Sequence, residues 1–432
     1  MFRSRMKLLK RIVYSSALLV AYVSSFSMMM VNTVQGKSST TPLPSSTNNN
    51  NNQQQQGNIA VIGGTHGNEY TGVWVIKALQ QKQLKLQEQY TNLNISTILG
   101  NPEAHYANRR FIHTDLNREF SYDKLCELPV DNDDVIVADN SDTATAVPVE
   151  AKRARELNDM LGSKCNHNND TPIFDVAIDL HSTTSNMGTT LIINEGDVLM
   201  AQGAAYVTQK CVNVQCLMHA IPDKGKRPNV SSTTKHGFTI EVGPVPQGLL
   251  RHDAVIQTEC ALFALLDFLQ QYYSSSNDDT TPEGTNTLLP PQIVSLLQNA
   301  YPDGMVPAFR TIPAQRYGEM SGKISWPSDD TNPNFPQWMI HESVQDQDYQ
   351  LLRKGDPLFV QLDGTIIHYD GSYGNEIYLL FINEGGYYYP SSGTGISVAL
   401  KTQYHLQTAV LDPIQPTTQQ HQSPKDEVKE EL

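Results

Sequence analysis

The order of apolar and polar positions divides the chain into distinct pieces. Short apolar runs recur: "IAVIGG" (59–64), "NISTILGN" (94–101), "IFDVAIDLHST" (173–183), "TTLIINEG" (189–196), "VQCLMHAI" (214–221) and "GFTIEVGP" (237–244). They read as buried strands. Between them, apolar residues fall at helical spacing in "EYTGVWVIKALQQKQL" (69–84), "VEAKRARELNDMLG" (149–162) and "AVIQTECALFALLDFLQQYY" (254–273). Strands alternating with helices predict an α/β domain with a mostly parallel central sheet over residues 58–275. The acidic stretch "VDNDDVIVADNSDTATA" (130–146) interrupts this pattern and reads as a surface insertion.

The pattern changes again at "SSSNDDTTPEGTNTLLPP" (274–291), a composition break that marks a boundary. Beyond it the runs are strand-like: "YGEMSGKISW", "PLFVQLDGTIIHY", "EIYLLFINEGGYYY" and "GISVALKTQYHL". Turn residues separate them. They predict a smaller β-rich domain over residues 276–410 and a polar tail over 411–432. Upstream, "SSTTPLPSSTNNNNNQQQQG" is polar and repetitive. It cannot bury enough apolar surface to offset the entropy of ordering, so residues 37–57 read as a disordered linker.

Residues 1–36 combine a basic start, "MFRSRMKLLKR", an apolar run and small residues before a cut after Gly36. This reads as a secretory signal peptide. The apolar run is long enough for an uncleaved signal anchor as the alternative, and the acid-free start leaves an organellar transit peptide open. The C-terminus, Lys429-Glu430-Glu431-Leu432, differs by one conservative change from an endoplasmic-reticulum retrieval signal. Read alone, it is an acidic tail. Together the two ends predict a location in the endoplasmic-reticulum lumen. Sequons at Asn94, Asn169 and Asn229 suit that compartment.

Charge narrows the function. The 432 residues carry 45 Asp and Glu against 31 Lys and Arg, a net charge of −14. No excess of cations is available to neutralise phosphates, which argues against a general nucleic-acid role. The five cysteines, Cys126, Cys165, Cys211, Cys216 and Cys260, include no C-x-x-C pair. They suggest neither a cysteine zinc site nor a disulfide framework, and their odd number leaves a thiol unpaired in a monomer.

In an open α/β sheet, ligands gather at the carboxyl ends of the strands. There the first strand delivers His66 and Glu69, "AIDLHS" delivers Asp179 and His181, and "TIEVGP" delivers Glu241. Two histidines and one carboxylate are a zinc ligand set that keeps a position open for water. His66 and Glu69 lie before or within the first turn of the next helix, so one loop can aim both at one ion. Within a strand Asp179 would point elsewhere, but just past the strand's end it could orient a ligand histidine. Alone, His-x-x-Glu reads as a solvated loop and "DLHS" as a satisfied strand-end histidine. Their co-occurrence in one domain carries the inference.

The segments "GGTHGNEYTGV", "NPEAHYANRRFIHTDLNREF", "DLHSTTSNMGTTLI", "IEVGPVPQGLLR", "QDQDYQLLRKGDPLFVQLDG" and "FINEGGYYY" go further. In this order the chain resembles the aspartoacylase and succinylglutamate desuccinylase family of zinc-dependent amidohydrolases, in its aspartoacylase and aminoacylase-3 branch. The resemblance implies a carboxypeptidase-like catalytic domain and a β domain covering the site entrance. It implies one zinc on His66, Glu69 and His181, with Glu241 as general base and Arg110 polarising the scissile carbonyl. It implies substrate contacts from Asn117, Arg118 and Tyr387. The alternatives for two of these are that Arg118 merely pairs with Asp115 and that Tyr387 is barrel surface. The implied reaction is hydrolysis of an N-acyl amino acid to a carboxylate and a free amino acid. Alternatives are action on esters or N-succinyl amino acids, a carboxypeptidase-like peptidase, and an inactive protein that binds amino-acid derivatives. The implied partner is the small N-acyl amino acid. A homodimer is compatible, and a membrane enters only if the N-terminal segment stays as an anchor.

One position departs from the family. Aspartoacylases carry an arginine about ten residues before the base, for the aspartate side-chain carboxylate. Here Ser231 stands at that place, with Arg227 and Lys235 nearby but out of register. The expectation is a weaker preference for N-acetylaspartate and turnover of neutral N-acyl amino acids. Ser231→Arg is expected to restore the preference, and Arg227 or Lys235 moving into the gap is the competing arrangement.

Overall fold

The computed structural model describes residues 56–411 except 128–134, 137–144, 163, 166–172, 222, 276–288, 313–321, 334 and 391–393. The N-terminal apolar segment, nearly all of the linker, most of the acidic stretch and of the composition break, Asn169 and the C-terminal tail lie outside the described residues.

β1 (Gly57–Gly63) leads into α1 (Tyr70–Gln81), α2 (Gln83–Gln89), β2 (Leu93–Leu99) and the short α3 (Pro102–Tyr106). β3 (Val135–Ile136) and β4 (Thr145–Ala146) pair as a small antiparallel ladder. Then come α4 (Val149–Leu161), β5 (Val176–Ser182), β6 (Gly188–Asn194), α5 (Val198–Lys210), β7 (Val214–His219), β8 (His236–Gly243) and α6 (His252–Ser275). The C-terminal part holds α7 (Pro291–Ala300), β9 (Met305–Thr311), β10 (Lys323–Ile324), β11 (Trp338–Ile340) and β12 (Leu351–Arg353). It ends with β13 (Pro357–Gln361), β14 (Ile366–His368), β15 (Glu376–Leu380) and β16 (Ile396–His405).

The main sheet runs β12-β15-β16-β9-β7-β6-β8-β5-β1-β2. The pairs β1–β2, β1–β5, β5–β8, β6–β7 and β7–β9 are parallel, and β6–β8 is antiparallel. The α/β domain with a mostly parallel sheet and the smaller β-rich C-terminal region are therefore both present. Every residue of β5 is buried, as a central strand covered on both faces requires. α6 buries Val255, Thr258, Leu262, Leu265, Leu266 and Leu269 along one stripe at helical spacing. Each such aliphatic side chain contributes about 1.5–3 kcal/mol on burial.

The structure adds what the pattern missed. β9, β16, β15 and β12 continue the central sheet, while only β11, β13 and β14 form a separate three-stranded sheet. Pro307 argues against a central strand at β9. β7 pairs with β9 only at Phe309 and Arg310, so the missing N–H of Pro307 falls where no β7 partner stands. The single helix expected over 69–84 is two helices, because Lys82 leaves helical geometry at φ −108°, ψ 14°. α7, which buries Ile293 and Leu297 four apart, begins at the end of the boundary and lies in the region expected to be β-rich.

The cysteine reading is corrected. Cys126 pairs with Cys165 and Cys211 with Cys260, while Cys216 is buried and free. The partners stand 39 and 49 residues apart in sequence, a separation without local signature, and tertiary packing brings their Cα atoms to 5.5 and 6.1 Å.

Candidate active site

Backbone proximity builds the site. A Cβ on Gly63 would lie 2.4 Å from the Gly72 carbonyl oxygen, and one on Gly72 would lie 2.6 Å from that of Leu180. Glycine at both positions lets α1 rest directly on the sheet and brings its N-terminal loop to the strand ends. Gly64, at φ +72°, turns the chain out of β1, and the Glu69 N–H donates to the His66 carbonyl at 3.1 Å. In parallel register, His181 of β5 stands beside Glu241 of β8. His66, Glu69, Asp179, His181 and Glu241 are all buried.

Glu69 is the hub. Its Oε1 lies 2.5 Å from His66 Nδ1 and its Oε2 lies 2.9 Å from His181 Nδ1. One donor atom from each of the three residues lies within 4.8 Å of the others. Zinc–ligand bonds of about 2 Å suit such a span. The opposite ring nitrogens are anchored: His66 Nε2 lies 3.1 Å from Asp115 Oδ1 and His181 Nε2 lies 2.6 Å from Asp179 Oδ2. A carboxylate behind a ligating histidine fixes its tautomer and ring orientation. The donor set and its supports therefore fit zinc, with the two Nδ1 atoms as ligands.

The reading of Asp179 needs correction. β5 runs on to Ser182, and residues two apart on a strand share a face. Asp179 thus reaches His181 from within the strand, and it also accepts from Thr65 Oγ1 at 2.7 Å.

Arg110 and Asp115 sit on a loop organised by Glu150 of α4. That carboxylate accepts the backbone N–H groups of Ile112, His113 and Thr114 at 2.6, 3.0 and 3.1 Å. Arg110 donates to Asp115 Oδ2 from Nε (3.3 Å) and Nη2 (3.1 Å), and from Nη1 to Glu384 Oε1 (3.3 Å). Asp115 is therefore occupied by Arg110 and His66. Arg118 instead donates to the Asn117 carbonyl at 3.0 Å. The Asn117 side chain donates to Asp179 Oδ2 at 3.3 Å and accepts from the Val230 N–H at 3.0 Å.

Electrostatics follow from these contacts. Burial alone would raise the Glu69 carboxyl, but His66 and His181 outweigh it and hold the pKa below the ordinary carboxylate value. Burial lowers the His181 imidazole, and Asp179 with Glu69 reverses this and raises it well above its usual value. For Glu241 burial dominates and pushes the carboxyl pKa well up, against the pull of His181.

All the candidate residues, His66, Glu69, His181, Glu241, Arg110, Asn117, Arg118 and Tyr387, line one cavity of about 620 Å³. Ile192, Ile221, Pro228, Ile312 and Phe381 give it an apolar side. Ser231 lies outside this lining, buried, with its hydroxyl accepting from Asn229 Nδ2 at 2.7 Å. Arg227 and Lys235 line a second cavity, and the cation in the loop that reaches the first is Lys226.

Four further residues belong to the site. Asp115 supports His66 and Arg110. Glu384 accepts from Thr183 Oγ1 at 2.5 Å and from the N–H groups of Thr184 (3.0 Å) and Gly386 (2.8 Å), so it joins the C-terminal region to the end of β5. A Cβ on Gly386 would come within 2.5 Å of the Arg110 guanidinium carbon, so glycine there admits the arginine. Lys323 Nζ sits 3.2 Å from the centroid of the Tyr387 ring, where burial and then Arg118 and Arg110 lower its pKa to about 7. His219 lines the cavity, and burial, then Arg118 and Arg227, lower its pKa to about 4. Asp115 and Glu384 stood inside motifs noted above, but a lone acid in a loop does not reveal its partner. Lys323 and His219 carried no local pattern at all.

Comparison with known proteins agrees with this geometry. Residues 55–269 match the succinylglutamate desuccinylase/aspartoacylase catalytic domain, and residues 319–394 match the AstE/AspA barrel-sandwich hybrid domain. A probable aspartoacylase from Nostoc sp. is 33% identical over 76% of this chain and 92% of its own length. N-acyl-aromatic-L-amino acid amidohydrolase (carboxylate-forming) B of Danio rerio is 32% identical, over 77% and 90% respectively. The crystal structure of murine aminoacylase 3 shares the fold, with a TM-score of 0.61 at 24% identity, over 81% of this chain and 97% of that one. With its site motifs, both domain matches and this extent of identity, the chain belongs to the succinylglutamate desuccinylase/aspartoacylase family.

Proposed function

We propose that this protein hydrolyses N-acyl amino acids with neutral side chains, giving a carboxylate and the free amino acid. The observation that carries this reading is the convergence of His66, Glu69 and His181 with Glu241 in one cavity that has an apolar side. One zinc held by the three ligands would supply Lewis acidity to water and to the acyl carbonyl. Glu241 takes a proton from the attacking water and returns it to the amide nitrogen as the C–N bond breaks. Arg110, kept cationic and aimed by Asp115 and Glu384, stabilises negative charge developing on the carbonyl oxygen. Arg118 offers a guanidinium to the substrate's α-carboxylate, and Tyr387 closes the cavity from the C-terminal side.

The relatives divide between aspartoacylases and amidohydrolases for aromatic N-acyl amino acids, so the cavity must decide. Its loop brings Lys226 rather than an arginine, and Ile192, Ile221 and Phe381 favour an uncharged side chain. With Ser231 buried, Ser231→Arg no longer tests specificity as first expected. A hydrolysis screen of N-acetyl amino acids does. The expected kcat/KM is higher for at least one neutral or aromatic member than for N-acetylaspartate. A value for N-acetylaspartate above every neutral member, collapsing in Lys226→Ala, would reverse the assignment.

We also propose residence in the endoplasmic-reticulum lumen. The two disulfides support an oxidising compartment. Of the sequons, Asn94 is exposed on edge strand β2 and available to a glycan, while Asn229 lines the catalytic cavity. Among the described residues no helix is long and apolar enough to cross a membrane. Deleting Lys429 to Leu432 is expected to release the protein into the medium. A cytosolic protein, or one whose distribution ignores the deletion, would refute the proposal.

A further inference from the structure

Lys164 lies just past α4 and beside Cys165. Its Nζ donates to the Phe120 carbonyl at 2.7 Å, the Arg227 carbonyl at 2.8 Å and Ser232 Oγ at 2.8 Å. An ammonium has three N–H donors, and all three are used. The acceptors belong to two separate segments. Phe120 closes the stretch that carries Asn117 and Arg118. Arg227 and Ser232 belong to the stretch that carries Lys226 and Asn229. One side chain thus ties together two walls of the catalytic cavity. Two other bonds cross the same seam: Phe120 N–H to the Pro228 carbonyl at 3.1 Å, and Val230 N–H to Asn117 Oδ1 at 3.0 Å.

The lysine is itself held at both ends. Its backbone N–H donates to Asn158 Oδ1 at 2.7 Å. Its neighbour Cys165 is bonded to Cys126, six residues beyond Phe120 on the first segment. Neither Lys164 nor the disulfide lines the cavity. Burial, then Lys224 and Arg227, lower the lysine pKa to about 7.

We propose that Lys164 and the Cys126–Cys165 disulfide form a clamp that sets the spacing between Arg118 and the Lys226–Asn229 wall. The clamp is a positioning device for substrate capture and takes no part in bond breaking. This rests on the amidohydrolase reading for its kinetic consequence, while its mechanical consequence stands independently. The zinc ligands, Glu241 and Arg110 have anchors of their own in β1, β5, β8 and the loop held by Glu150, although Asn117 of the clamped segment also touches Asp179 and His181.

The test uses the full-length protein with Lys164→Met, Cys126→Ala/Cys165→Ala, and Cys211→Ala/Cys260→Ala as the disulfide control. For the best N-acetyl amino acid of the screen, the first two variants are expected to raise KM about tenfold with kcat within about twofold. Reductant should raise KM in wild type and in the control but not in Cys126→Ala/Cys165→Ala. Amide hydrogen exchange supplies a readout free of activity: Lys164→Met should speed exchange in residues 116–127 and 223–232 together. Unchanged exchange in 223–232 would overturn the clamp even if no amide is hydrolysed, and so would loss of kcat at constant KM. Faster exchange in both segments without any hydrolysis by wild type would uphold the clamp and instead defeat the amidohydrolase reading.

Discussion

Glu241→Gln lowers turnover by roughly two orders of magnitude or more, the scale of general acid–base catalysis, while leaving metal content and KM close to wild type. The substitution keeps side-chain volume and the place beside His181 in the sheet register. It exchanges the carboxylate for a neutral amide, which is too weak a base to take a proton from water. Glu241 is almost fully buried and belongs to β8 rather than to a mobile loop, so the change stays local. Steady-state kinetics with elemental analysis of the same sample checks this. Near-normal turnover would show that another group accepts the proton.

The second large effect concerns the metal. His66→Ala or His181→Ala is expected to reduce zinc from about one ion per chain to a small fraction and to abolish hydrolysis. Each substitution deletes one of the three residues that could hold the metal, and structural and catalytic zinc sites alike need at least three protein ligands. Each also takes a histidine away from its supporting carboxylate, but Asp115 keeps Arg110 and Asp179 keeps Thr65 and Asn117, so the change is confined to the donor set. Elemental analysis after dialysis, with circular dichroism to verify folding, measures the outcome. Full zinc occupancy in both folded variants would end the ligand assignment.

What was legible in the chain by itself was the local and the repetitive. Period and length of the apolar runs identified the strands and helices of the α/β part, since buried strands and amphipathic helices write their contacts into neighbouring positions. The glycine-rich turn after β1 placed His66 and Glu69 on one loop, because a three-residue interval keeps both within one turn. "DLHS" and "IEVGP" put His181 and Glu241 at strand ends for the same reason. Conversely, wherever a partner lies far along the chain, nothing local records it. Asp115 behind His66, Glu384 against Arg110, Lys323 over Tyr387, the pairing of Cys126 with Cys165, and the extension of the central sheet by β9 and β16 were decided only by tertiary structure. The substrate loop shows the same division. Counting ten residues back from Glu241 pointed to Ser231, and only the folded loop determined that Ser231 turns inward and Lys226 toward the cavity. A side chain's direction there depends on the Val230–Ser232 turn, on the bond that Ser232 accepts from Lys164 and on the bond that the Val230 N–H donates to Asn117, segments more than sixty residues away.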